Sequence, residues 1–213
     1  MKALAKTDID AEMVNVVVFH GSNKIIKAED IVFPSPRKYY DFGPGFYLTE
    51  SRKIAEEWVI DEQIPIVNEY MLSVPKQRIL FLEKRDWLQV VVGFRSRKFE
   101  AQFKSSVIQG LIANDRLVDA IEIFRQGAIG DLRLFECLQM VELGNQYVLR
   151  DSADCLTWIE SREIKGAELQ RAAFRRNRKR RDMEKRVRAV YRKQVADELF
   201  YDDFIERGAF YEV

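Results

Sequence analysis

"YYDFGPGFYLTE", residues 39–50, is the stretch on which the reading of this chain turns. Its Asp41-Phe42-Gly43 repeats the three letters that in a protein kinase carry an aspartate to the magnesium ions beside ATP. A kinase also needs a glycine-rich loop, a strand lysine and an upstream His-Arg-Asp, each acting separately on the phosphates. Here the only histidine, His20, is followed by Gly21-Ser22, and no GxGxxG precedes Asp41. The kinase match is therefore chance. What the stretch does specify is backbone: residues 34–45 hold three of the five prolines together with Gly43 and Gly45, which predicts an extended loop with special angles at those glycines. "FYLT" follows as a short strand, and Thr49 is placed to cap a helix over 50–60 with Ile54, Ala55, Trp58 and Val59 on one face.

Outward from that loop, "VNVVVF" (14–19) reads as a β-branched strand ending at His20-Gly21-Ser22. After Pro65, "IVNEYMLSV" and "RILFL" read as strands, and "DWLQVVVGF" as a helix with Trp87, Leu88, Val91 and Val92 inward. "SVIQGLIAND" predicts a strand ending at Asn114-Asp115, followed by a helix over 116–126 stopped by Gly127. A helix over 131–141, a turn at Gly144, a strand "NQYVL" and a helix capped by Ser152 complete the body. Strands and helices interleave without a regular βαβ period, so the expected class is α+β.

Composition narrows the function. Of 213 residues, 47% are hydrophobic and 12% aromatic, enough for a buried core. No apolar run reaches the roughly 18–20 residues of a membrane span, and Asp8, Asp10 and Glu12 interrupt the start before any apolar segment, against a signal peptide. A cytoplasmic protein is expected. Cys137 and Cys155 are too few for a disulfide framework, and with one histidine they cannot complete a four-ligand zinc site, so no metal is expected. The net charge of +1 conceals an asymmetry: residues 171–193 carry 12 Lys/Arg against Asp182 and Glu184, a local +10, leaving 23 basic and 32 acidic residues, or −9, elsewhere. That division predicts a body at 1–164 and a basic helical extension at 165–213, in which Val187, Tyr191, Val195 and Leu199 make an apolar stripe. Arg171, Arg175, Arg176, Arg178, Arg180 and Arg181 are its candidates for contact with nucleic acid.

Candidate polar residues gather at strand ends: His20-Gly21-Ser22, Asp41 to Thr49, Asn114-Asp115 and Asn145-Gln146. They include no activated serine or cysteine nucleophile, no metal cluster and no phosphate loop, so the residues alone describe a site that binds and polarises a ligand. In order, "FHGS", "DFGPGFYLT", "VNEY", "IQGLIAND" and "GNQYVL" resemble an uncharacterised bacterial family with the ADP-ribosyltransferase fold, distantly related to ADP-ribosylating toxins and poly(ADP-ribose) polymerases. The resemblance covers about residues 14–160 and implies a split α+β core of two packed sheets with NAD in the cleft. It implies that His20 bonds the adenosine ribose, that the Gly21 backbone holds the nicotinamide amide, and that Tyr47 stacks on the nicotinamide ring, opposite the imidazole. Ser22, Asp41, Gly45, Phe46 and Thr49 would complete the NAD-binding surface.

At the third key position, where most active relatives have Glu, this chain has Gln146. Cleaving the nicotinamide bond leaves an oxocarbenium-like sugar that a carboxylate stabilises, and glutamine keeps the acceptor oxygen without the charge. Asp115 is the first candidate to supply that charge and Asp41 the second; each has a plainer alternative, Asp115 as a helix cap and Asp41 as the holder of an Asx-type turn. The implied activity is an NAD-dependent ADP-ribosyltransferase, a toxin (including the toxin of a toxin-antitoxin pair), effector or defence protein, modifying a protein or nucleic acid and held in check by a neutralising partner. Two alternatives are an NAD glycohydrolase and a non-catalytic module of the same fold that binds through its basic tail.

Overall fold

The computed structural model describes residues 12–33, 40–96, 103–113, 120–139 and 143–208. The β-branched run after Glu12 forms β1 (Met13–Ser22), which pairs along its whole length, antiparallel, with β3 (Ile66–Pro75). With β2 (Phe46–Thr49), β4 (Ile79–Phe81), β5 (Val107–Leu111), β6 (Asn145–Leu149) and β7 (Leu156–Glu163), they make one seven-stranded sheet in the order β4-β5-β6-β2-β1-β3-β7. Only β4 and β5 run parallel. The protein is thus mixed α and β, with a single hydrogen-bonded sheet rather than two separate ones. Its thinnest seam lies between β1 and β2, registered at the single pair Phe19↔Thr49.

Six α-helices occur among the described residues: α1 (Arg52–Trp58), α2 (Lys84–Arg95), α3 (Ala120–Arg125), α4 (Asp131–Gln139), α5 (Ala167–Tyr191) and α6 (Tyr201–Gly208). Opposed residues of paired strands share a face, and alternate residues change face. Val148 and Ile108 accordingly join helical residues Trp87, Phe124, Leu134 and Val187 in the larger core. Leu48, Tyr70, Leu72 and Leu149 point the other way, into a second core closed by Ala28, Ile31 and Phe33. A small third cluster, Ala55, Val59, Val67 and Ile164 with Phe19 against it, seats α1 on β1. Gly21 permits that seating, since a Cβ there would stand 2.6 Å from the Ala55 carbonyl oxygen.

Four expectations are corrected. Ser51, not Thr49, caps α1, its hydroxyl accepting from the Ile54 N–H at 3.4 Å. Trp58 does not join the inward face but is 38% exposed at the end of α1. The expected helix after Ser152 is instead the strand β7: the Ser152 hydroxyl is turned to the Asp154 carboxylate at 2.7 Å, and the β-branched and aromatic "LTWI" pairs with the open edge of β3. Of the expected stripe, Val187 is buried and Tyr191 and Leu199 pack against the larger core, but α5 ends at Tyr191 and its buried face also takes Ala172, Met183 and Val190.

Those residues place the extension inside the fold's energetics. Met183, Val187, Val190, Tyr201 and Phe204 belong to the same core as Phe42 and Trp87. Burial of a side chain such as Phe204, which is wholly inaccessible, contributes about 2–3 kcal/mol. The link between α5 and α6 is latched to α4: Glu198, nearly buried, accepts from the Arg133 backbone N–H at 3.0 Å and pairs with its guanidinium at 2.7 Å. On the flank of α5, Arg175 meets Glu56 at 2.6 Å, Lys179 meets Glu57 at 2.9 Å and Arg176 meets Asp61 at 2.7 Å, so the basic helix is clamped to the acidic side of α1. No helix of the described residues is long and apolar enough to cross a membrane, and Cys137 and Cys155 are buried.

Candidate functional site

The loop before β2 is folded by its own strand. Gly43 takes φ +77°, a value that favours glycine, and the chain doubles back so that Tyr47 reaches the peptides preceding it. The Tyr47 hydroxyl donates to the Gly43 carbonyl at 2.7 Å and accepts from the Phe42 N–H at 2.9 Å. Two bonds at the phenol oxygen fix the ring plane, while the residue as a whole stays half-buried. Burial first, then the neighbouring Asp41 carboxylate, push the Tyr47 phenol well above its ordinary pKa, so it remains a neutral donor. Gly45 has no room for a side chain, since Val148 and the Leu149 carbonyl crowd its backbone.

Asp41 is 6% exposed and is the hub of a polar network. Its carboxylate accepts from Arg95 Nε at 2.8 Å and from Arg95 Nη2, from the Ala113 N–H at 3.2 Å, and from Gln146 Nε2 at 2.8 Å. Gln146, 2% exposed, also donates to the Leu111 carbonyl at 3.1 Å. A carboxylate and a carbonyl can only accept, so both contacts demand the NH₂ end of the amide, and Oε1 faces the other way. No described residue donates to that oxygen.

His20 ends β1 half-buried, its ring stacked on Phe46 at 4.3 Å between centroids, and its Nδ1 lies 2.7 Å from the Tyr47 carbonyl oxygen. Because a carbonyl only accepts, Nδ1 carries the proton. Phe46 in turn meets Tyr70 edge-on at 6.0 Å. His20 and Tyr47 therefore share a peptide but not a face: the imidazole lies with Phe46 over the second core, whereas the phenol packs against the larger core. The expectation that the two rings oppose each other as jaws is corrected by this alternation. Tyr47 shares its face of the sheet with Gln146, by way of the register pairs Tyr47↔Val148 and Thr49↔Gln146.

The remaining predicted positions divide. Ser22 closes β1 opposite Ile66, and its hydroxyl accepts from the Lys24 N–H at 3.4 Å. Thr49 is sealed from solvent, donates to the Asn145 carbonyl at 3.2 Å and accepts from the Ser51 N–H at 3.2 Å, ties that join β2, β6 and the start of α1. Asp115, with Asn114, lies outside the described residues. Two residues escaped the sequence reading. Arg95 was the only signal of a buried partner for Asp41, as the one cation closing the apolar helix α2. Trp58 stands beside Gly21, where a Cβ would come within 3.3 Å of the Trp58 Cβ, and is 38% exposed at the end of α1. Among the described residues no group of three or more His, Cys, Asp or Glu could hold a metal ion.

The geometry thus gathers a polar network where the loop before β2, the end of α2, the end of β5 and the start of β6 meet. The family described as "Protein of unknown function (DUF3990)" matches residues 16–158, which span β1 to β7, and the chain belongs to that family. No curated protein and no solved structure matches it.

Proposed function

We propose that the chain is an NAD-dependent ADP-ribosyltransferase of the split-sheet type, with its site on the face shared by Tyr47, Gln146 and Trp58. The observation that carries the reading is the forced orientation of Gln146: Asp41 Oδ2 and the Leu111 carbonyl hold Nε2, leaving Oε1 as a fixed acceptor for a sugar hydroxyl. Tyr47 supplies a ring whose plane is set by two hydrogen bonds, suited to stacking on a nicotinamide. Gly21 and, beside it, Trp58 lie on the α1 side of the same sheet face.

The reaction this arrangement suits breaks the bond between the nicotinamide nitrogen and the ribose C1′. The electron pair leaves with nicotinamide, the sugar becomes cation-like, and an acceptor nucleophile adds at C1′ while losing its proton. Gln146 grips the ribose hydroxyl; the negative charge nearest to it belongs to Asp41, whose carboxylate is shared with Arg95. Preorganised dipoles aimed at developing charge are the main source of rate in such sites.

Incubating the full chain with NAD⁺ and quantifying nicotinamide by mass spectrometry tests the proposal. Nicotinamide release, lost in Gln146→Ala and Tyr47→Phe proteins that remain folded, is the expected result. Labelled macromolecule alongside nicotinamide identifies a transferase, and free ADP-ribose alone a glycohydrolase. Absence of both NAD⁺ binding and nicotinamide release would leave a non-catalytic module.

A further inference from the structure

α5 sorts its cations by face. Arg175 and Lys179 are spent on α1 and Arg176 on Asp61 just after it, and Arg180 pairs with Glu184 at 3.2 Å. A different row points away from the body: Arg171, Arg178, Arg181, Lys185, Arg188 and Arg192, all exposed. With Phe174, 61% exposed, filling the gap after Arg171, the intervals run 3, 4, 3, 4, 3, 4, which keeps every member on one side of an α-helix. Arg178 has only the weak contact to Asp182 at 3.8 Å, and the other five cations meet no carboxylate at ion-pair distance among the described residues. The row is about 32 Å long at 1.5 Å per residue, on one unbroken helix from Ala167 to Tyr191 and its cap Arg192.

From this we infer that the outer row of α5 binds the phosphate backbone of a nucleic acid. Five of the six cations are arginine, whose planar fork pairs with phosphate oxygens two bonds at a time. A duplex presents one negative charge per roughly 1.7 Å of axis, so a straight row finds partners along its whole length. An anionic membrane fits less well, because a helix lying on a membrane needs an apolar face to insert. The apolar residues of α5, Ala172, Met183, Val187 and Val190, are already in the core, and the outer row offers Phe174 alone. Phe174 suits the same ligand, as an aromatic able to stack on an unpaired base between phosphate contacts. The inference stands on α5 alone and does not depend on the NAD reading.

The test is fluorescence anisotropy of the full chain, without NAD⁺, on a labelled DNA duplex about 20 base pairs long and on single-stranded RNA of similar length, at several salt concentrations. Phosphatidylserine vesicles and polyglutamate serve as the competing polyanions. Binding to at least one nucleic acid is expected, and the two arms tell which. In R181E/K185E/R188E the affinity should fall about tenfold or more, and the slope of log K against log salt should shrink by about 2.7, at 0.9 per lost phosphate contact. Circular dichroism of that variant should match the parent, because all three positions are exposed. In R175A, whose guanidinium faces Glu56, the salt slope should be unchanged. Binding only to vesicles or polyglutamate, no binding to any probe, or a triple variant that binds nucleic acid like the parent would each overturn the inference.

Discussion

Arginine is used in two opposite ways in this molecule. Arg95 is largely buried against Asp41, whose carboxylate also takes the Ala113 N–H and the Gln146 amide nitrogen. Along α5, Arg171, Arg181 and Arg188 stand in water without a carboxylate. The difference teaches what each charge is for. A buried pair contributes little net energy but orients its neighbours, because breaking it strands a charge in a poor solvent. A solvated charge orients nothing and remains available to a partner, at a cost in self-repulsion that the clamps to Glu56, Glu57 and Asp61 offset.

The comparison is broken most forcefully at Asp41. Asp41→Ala takes the carboxylate from a largely buried Arg95, whose guanidinium keeps its contact to the Ala113 carbonyl, and urea denaturation should register a loss of roughly 3–5 kcal/mol. Adding Arg95→Met should recover a large part of that loss; a single variant within about 1 kcal/mol of the parent would mean that the network orients nothing. Phe204→Ala is next, at about 3 kcal/mol, because α6 plugs the same core as Phe124. Deleting the extension from residue 166 should accordingly leave an unstable body.

Gln146→Glu sharpens the contrast further. It would set a second carboxylate beside Asp41, where the amide nitrogen now lies 2.8 Å away, with Arg95 bonded to the same Asp41 carboxylate. Two carboxylates sharing one site do not both ionise at neutral pH. Since one folded-state pKa is raised, the variant should be least perturbed below the unfolded carboxyl value and lose about 1–3 kcal/mol as pH rises toward 7. Asp41→Asn in the same chain exchanges carboxylate and amide, should restore stability, and on the proposed reaction should raise nicotinamide release about tenfold or more. Restored stability with unchanged release would separate the structural role of the network from the chemical one.

Much of this was legible in the residues. Gly43 and Gly45 announced a tight loop, the run 14–19 a strand, and "NQYVL" the strand that presents Gln146, since local propensity and tertiary context agree at these points. The failures have one physical source, namely partners distant in sequence. Periodicity placed Trp58 inward, but α1 stops there and leaves it 38% exposed. "LTWIESRE" became β7 because β3 had an open edge 84–97 residues earlier, which nothing local announces. The alternation that separates His20 from Tyr47 depends on the register of β1 against β2, and the service of Asp41 to Gln146 spans 105 residues.

Smaller effects test the solvated half of the comparison. Burial raises the phenols of Tyr47, Tyr70 and Tyr147 above their ordinary values. A raised folded pKa is a contribution fully present below the unfolded value of about 10 and lost as pH climbs past it, so melting temperatures should fall in strong alkali and tyrosinate absorbance should lag. The least effect belongs to the outer row. Arg181→Ala removes a charge that touches no carboxylate, and its stability should stay within about 0.5 kcal/mol of the parent, or rise slightly as repulsion on α5 is relieved. Arg175→Ala, by contrast, takes one cation from both Glu56 and Glu57, which keep Arg52 and Lys179, and should cost more, about 1–2 kcal/mol. If the two substitutions proved equal in a thermal melt, the division of α5 into a clamped flank and a free face would have no energetic meaning, and the reason for assigning its outer row to a partner would go with it.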